Sequence, residues 1–214
     1  MFEDRKEAGR ALGSALKKYQ SAKPVVLAIP RGGVEVGYFA ALTLGCDFDI
    51  IITRKLCYPQ QPEAAFGVIA EDGSLYFDPW SNKYLTKDII IKVQTKEKKE
   101  IQRRVLQYRN GEDLPSLKGR VVILVDDGIA TGATMFGAIR MCCKHHPEKI
   151  VIAAPVSGLT RLSKLETEAD EVLILNKYQH LAAVSQGYCN FTDLTDEDVQ
   201  LYLKKQLSGT TKLF

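Results

Sequence analysis

The sequence predicts an α/β protein with a doubly wound, mostly parallel central sheet, helices on both faces, a β-hairpin flap and a small C-terminal hood. Three observations carry that expectation. Short aliphatic and β-branched runs recur along the chain, separated by stretches of helical character, which is the rhythm of parallel strands joined by crossover helices. The runs are continuously apolar, as strands covered on both faces must be. One segment breaks the rhythm: Ala65–Ala70 and Leu75–Phe77 are apolar arms around Glu71-Asp72-Gly73-Ser74, whose Asp-Gly pair is a hairpin turn. With 214 residues, 45% of them hydrophobic, the chain is long enough for one well-buried domain and short for two. A single domain over residues 1–207 is expected, with the hood at about 157–192 and a flexible tail at 208–214.

In chain order, a helix is expected at residues 2–19 and a strand at 25–29. The strand runs into Pro30-Arg31-Gly32-Gly33, an arginine before two glycines, which suits an anion-binding turn. A helix over 34–44 and a strand over 48–53 follow, the latter ending in Arg54-Lys55 and a stretch rich in proline and glutamine at 56–65. After the hairpin comes a long helix over 86–108. Its Lys-Glu-Lys-Lys-Glu-Ile-Gln-Arg-Arg run, residues 96–104, is mixed in sign and reads as a solvated face. Strands at 121–125, 150–155 and 171–175 then alternate with helices at 134–144 and 160–166.

Residues 121–135, VVILVDDGIATGATM, hold the densest chemistry. A buried strand delivers Asp126 and Asp127 to its carboxyl end, where open α/β sheets bind ligands. Gly128-Ile129-Ala130-Thr131-Gly132-Ala133-Thr134 then supplies tight turns, free N–H groups and two hydroxyls before the apolar-periodic Met135, Phe136, Ala138, Ile139 and Met141. A helix N-terminus presented this way is a phosphate site. The N–H groups and the hydroxyls of Thr131 and Thr134 suit a terminal phosphate. The two carboxylates would repel it, so they must face hydrogen-bond donors such as ribose hydroxyls.

Hydrophobic strand, acidic pair, small-residue loop and T-G-x-T before a helix closely resemble the signature of the type I phosphoribosyltransferases, whose substrate is phosphoribosyl pyrophosphate (PRPP). The resemblance covers about residues 25–199, and I-P-R-G-G-V-E-V-G, T-R-K-L, P-E-A-A-F-G, V-D-D-G-I-A-T-G-A-T-M and a late A-D-E-V most resemble a group of uncharacterised phosphoribosyltransferase-like proteins within the family. It implies a type I phosphoribosyltransferase-like fold and transfer of ribose 5-phosphate to a nitrogenous base with release of pyrophosphate. It further implies that Asp126, Asp127, Gly128, Ala130, Thr131, Gly132, Ala133 and Thr134 hold the ribose phosphate. Arg31, Gly32, Gly33, Arg54 and Lys55 correspond to the pyrophosphate site, and Asp126, Asp127, Arg54 and Lys55 to the catalytic set. Magnesium is the implied cofactor, held mainly by substrate oxygens with no directly assigned protein ligand. Lys177 and Tyr178 resemble the Lys-aromatic segment with which some members hold a 6-oxopurine. Asp127 is also a candidate base toward the incoming nitrogen. The flap lacks the further lysine or Ser-Tyr pair of several members, which keeps a non-catalytic PRPP- or nucleotide-binding regulator as the alternative. A phosphotransfer or hydrolytic reading lacks a G-K-[ST] loop, H-E-x-x-H or G-x-S-x-G.

Composition sets the remaining bounds. A net charge of +3 and a pI near 8.5 suit a phosphate-rich substrate and are too dispersed for nucleic acid. Five cysteines without a C-x-x-C pair, and three scattered histidines, make no metal-ligand set. The charged N-terminus lacks the apolar core of a signal peptide, and no apolar run approaches membrane-spanning length. A soluble, reduced, cytoplasmic protein is expected, without membrane partners. Sheet edges and the family's habit point to a homodimer.

Overall fold

A computed structural model describes residues 1–78 and 85–210. The chain runs α1 (Arg5–Ala15), β1 (Val25–Ala28), α2 (Gly33–Leu44), β2 (Asp47–Ile50), β3 (Thr53–Tyr58), β4 (Gln61–Ala70), β5 (Leu75–Phe77), α3 (Lys87–Arg109), β6 (Val121–Val125), α4 (Ala133–Lys144), β7 (Lys149–Gly158), α5 (Leu159–Glu166), β8 (Glu171–Tyr178) and α6 (Asp196–Thr210). Among the described residues the strands form two sheets. The first is fully parallel in the order β2-β1-β6-β7-β8, and the second is the antiparallel β3-β4-β5. The α/β class, the parallel sheet and the hairpin flap are as expected.

The central strands show the two-residue period of a sheet covered on both faces. Val26, Ala28, Ile123, Val125, Val151 and Ala153 point into one core with α1, α2, α3 and α6. Their neighbours Val25, Leu27, Val122, Leu124, Ile150 and Ile152 point into the other, under α4 and α5. Helix α1 lies on α2 through glycine: a Cβ on Gly9 would stand 2.6 Å from the Val36 carbonyl oxygen, and one on Gly13 2.6 Å from that of Ala40. These contacts carry the first turn of α1 to the carboxyl ends of the strands.

Several boundaries differ from expectation for identifiable reasons. Helix α1 starts at Arg5 rather than residue 2, because the Asp4 carboxylate caps it by accepting from the Glu7 N–H at 2.7 Å. Residues ahead of it join the hood, where Phe2 bridges Tyr188. The strand expected at 48–53 is split. Ile51 N donates to Ala28 O, the last bond to β1, and Thr53 then opens β3 by pairing with Ala70. The proline- and glutamine-rich stretch is therefore ladder, apart from a turn at Pro59-Gln60. Strands β7 and β8 run on to Gly158 and Tyr178 because they pair with each other that far.

Helix α6 has no counterpart among the expected elements, although its start is readable. Thr195 and Asp198 cap reciprocally, Thr195 N donating to Asp198 Oδ2 at 2.9 Å and Asp198 N to Thr195 Oγ1 at 3.2 Å. Residues 208–210 of the expected tail belong to this helix, and 211–214 lie outside the described residues. No described helix is long and apolar enough to cross a membrane.

Candidate active site

The chain leaves β6 through Asp126 and Asp127, with Asp127 N donating to Asp126 Oδ1 at 2.9 Å. It then returns to the sheet, where Ile129 N donates to Val156 O at 2.9 Å. Gly132 follows at φ 72°, a left-handed conformation that glycine adopts without a Cβ penalty, and forms the N-cap of α4. No side chain caps α4. Thr131 Oγ1 makes only a long contact, 3.5 Å, with Ala133 N, so the first-turn N–H groups remain available to an anion.

A cavity of about 240 Å³ lies over this corner, lined among others by Lys55, Asp126, Asp127, Thr131, Thr134 and Val184. Gly128, Ala130 and Gly132 also border it, so all but one of the residues expected to hold the ribose phosphate converge on one space, and Ala133 lines the cavity beside it. That second cavity, of about 310 Å³, shares Lys55 and Thr131 with the first. Its floor is the stacked pair Tyr76 and Phe136, ring centroids 4.7 Å apart, with Lys164 over both rings.

The two acids have different surroundings. Asp127 Oδ2 receives both Nε and Nη2 of Arg5, at 2.9 and 2.8 Å. Both residues are buried, Arg5 to 4% exposure and Asp127 to 8%. Tyr188 Oη donates to the Asp127 carbonyl at 2.5 Å. Burial pushes the Asp127 carboxyl up, and the Arg5 guanidinium opposes that push. Asp126 has no such partner. Burial, and next the charge of Asp127, hold its carboxyl well above the usual carboxylate range. The pair thus retains a proton more readily than free aspartates, with Arg5 favouring charge on Asp127.

The Pro-Arg-Gly-Gly turn abuts the acids directly. Its Pro30–Arg31 peptide is cis. A Cβ on Gly32 would fall 1.9 Å from Asp127 Oδ2, and one on Gly33 would fall 2.8 Å from Val125 O and 2.9 Å from Asp126 Cα. These glycines are required by close approach: Gly32 itself has ordinary helical angles, φ −56° and ψ −40°. The Arg31 side chain is half exposed and lies 3.9 Å from Asp196 at the start of α6.

The structure separates two pairs that the sequence placed together. Arg54 and Lys55 are neighbours on β3, so their side chains leave opposite faces. Lys55 lines both cavities, whereas Arg54 is turned to Glu97 of α3, Nε to Oε2 at 2.8 Å, and lines neither. Arg54, expected at the pyrophosphate site, is thus held by α3 and stands outside both cavities. Lys177 is exposed, and Tyr178 packs with Val156, Tyr188 and Val184 in the hood cluster. Neither lines either cavity.

Arg5 and Tyr188, which hold Asp127 by its side chain and its carbonyl, are contacts that the sequence reading missed. For Arg5 a signal existed: it shares a buried stripe with Ala8, Gly9, Leu12 and Gly13, and an arginine on such a stripe needs a buried partner.

Residues 3–184 match the family described as phosphoribosyl transferase domain. Proteins from two Mycobacterium tuberculosis strains, provisionally named phosphoribosyl transferases, are 39% identical over 207 residues, covering 96% of this chain and 47% of theirs. The chain thus spans about half the length of these curated relatives. The crystal structure of TT1426 from Thermus thermophilus aligns with a TM-score of 0.83 at 36% identity, covering 96% of this chain and 99% of that one.

Proposed function

Because the chain belongs to the phosphoribosyl transferase domain family, we propose that it transfers the ribose 5-phosphate group of PRPP to a nitrogenous base and releases pyrophosphate. The observation that carries this reading is the convergence, on one cavity, of an acidic pair at a strand's carboxyl end, an uncapped helix N-terminus and Lys55. The α4 amides with Thr131 and Thr134 take the 5′-phosphate. Asp126 and Asp127 accept from the ribose hydroxyls and balance the positive charge that develops on the sugar as the anomeric bond breaks. Lys55 faces the departing pyrophosphate as a point charge, and the backbone of Gly32 and Gly33 lets that group approach closely. No nucleophilic side chain is needed, since positioning and charge do the work.

Magnesium fits this donor set. It prefers phosphate oxygens and water supplemented by one or two carboxylates, and Asp126 and Asp127 at the cavity would supply such an oxygen, the cation's own charge favouring their ionised form. When bound, it neutralises the diphosphate. The acceptor is a nitrogenous base, and Lys177 and Tyr178 stand away from the two cavities. A homodimer in a reducing cytoplasm completes the proposal; β2 and β8 are open sheet edges, and all five cysteines are unpaired.

The test is pyrophosphate release from PRPP with magnesium against a panel of purine and pyrimidine bases, with Asp126→Asn as control. Base-dependent release that the variant loses is the expected result. Saturable PRPP binding without release for any base would instead favour a regulatory binding protein, and sedimentation velocity would test the dimer.

A further inference from the structure

The Arg5 contact with Asp127 joins three parts of the molecule that are far apart in sequence. Ahead of α1, the chain lies along the hood: Phe2 N donates to Gly187 O at 2.9 Å, Cys189 N to Phe2 O at 2.8 Å and Asn190 N to Glu3 O at 2.8 Å. This docking sends Arg5 beneath the hood, where its guanidinium sits 3.8 Å from the centre of the Phe191 ring. Nη1 donates to the Thr192 carbonyl at 2.6 Å, while Nε and Nη2 converge on a single oxygen of Asp127. That oxygen, Oδ2, is also the atom against which Gly32 packs. One oxygen of the acid is thus fixed from two sides by protein, and Oδ1 takes no bond from Arg5.

We infer that Arg5 is a positioning residue of the ribose site: it clamps Asp127 by Oδ2 so that Oδ1 is presented to a ribose hydroxyl, and it locks the hood to that acid through Thr192. This rests on the PRPP reading above. Arginine suits this geometry: different nitrogens of one rigid planar group reach Asp127 and the Thr192 carbonyl, which fixes their orientation better than a compact ammonium on a flexible stem. The burial of both partners makes the clamp rigid, because neither can leave the other without stranding a charge. Arg5 itself lines neither cavity, so it acts through Asp127 rather than on the substrate.

The test compares two probes by titration calorimetry in the presence of magnesium: PRPP, which carries the ribose hydroxyls, and inorganic pyrophosphate, which does not. Arg5→Gln is expected to weaken PRPP about tenfold, the scale of one charge-assisted hydrogen bond, while leaving pyrophosphate within twofold. In an Asp127→Asn background the same change should add no further loss. If Arg5→Gln does not fold, Arg5→Lys keeps the charge and is expected to weaken PRPP about threefold, again with pyrophosphate unchanged. Equal losses for both probes would reduce Arg5 to a structural residue and overturn the inference. Unchanged PRPP affinity would overturn it as well. A wild-type protein that binds no PRPP would instead remove the functional reading, and the inference with it.

Discussion

Gly32→Ala tests whether site geometry, rather than backbone conformation, demands glycine. Gly32 is the N-cap of α2 and has helical angles that alanine also adopts. On backbone grounds alone the substitution should bring no gain, since an N-cap does not favour alanine over glycine. The new Cβ, however, would stand 1.9 Å from Asp127 Oδ2 and 2.5 Å from its Cγ. Ordinary contact is about 3.5 Å, so the carboxylate must withdraw by roughly 1.5 Å. The Arg5 bonds, now 2.8 and 2.9 Å, do not survive a withdrawal of that size. Separating a buried pair costs about 3–5 kcal/mol, and with no propensity gain to offset it a loss of about that size is expected. Urea denaturation measures that loss, and calorimetric titration with magnesium and PRPP should show affinity reduced at least tenfold. A Gly32→Ala protein as stable as wild type, binding PRPP equally well, would refute the claim that this glycine exists to admit the carboxylate.

Three further outcomes test other parts of the structure. Lys55→Ala should weaken PRPP about tenfold or more, whereas Arg54→Ala should stay within twofold and lose about 2 kcal/mol of stability by stranding the buried Glu97; parallel affinity losses would mean that both face the ligand. Gly13→Ala should destabilise by about 1 kcal/mol, because overpacking against Ala40 and Thr43 outweighs the helix propensity gained, and a more stable variant would contradict the close packing of α1 on α2. Arg103, followed by Arg104, lowers the Glu100 carboxyl to about 2 from its ordinary 4.5. Its contribution, about 0.5 kcal/mol for such an exposed group, is present above pH 4.5 and is lost as pH falls toward 2; the stability gap between wild type and Glu100→Gln should close in that direction, and a gap that widens on acidification would reverse the sign.

The strands, the helix starts and the turn ahead of α4 are legible in the sequence because each rests on local chemistry. Val121–Val125 reads as a buried strand from its side chains alone, and Gly132 before a helical stretch reads as a turn that needs a left-handed residue. The Asp-Gly turn of the hairpin and the convergence of residues 126–134 around one cavity follow from the same short-range signals. Even α6, absent from the expected elements, carries its cap in Thr195 and Asp198.

What the tertiary structure alone decided are relations between residues distant along the chain. Arg5 and Asp127 are 122 positions apart, and they meet only because two glycines of α1 let that helix settle on α2 while Phe2 docks on the hood. Arg54 and Lys55 look like one phosphate-binding unit in sequence, but the position of β3 between α3 and the cavity gives them different partners. Lys177 and Tyr178 stand apart from both cavities because β8 pairs with β7 to its end and Tyr178 packs into the hood. Local sequence fixes which backbone shapes are cheap. Which side chains share a buried space depends on how whole elements pack, and packing is set by burial summed over the entire chain.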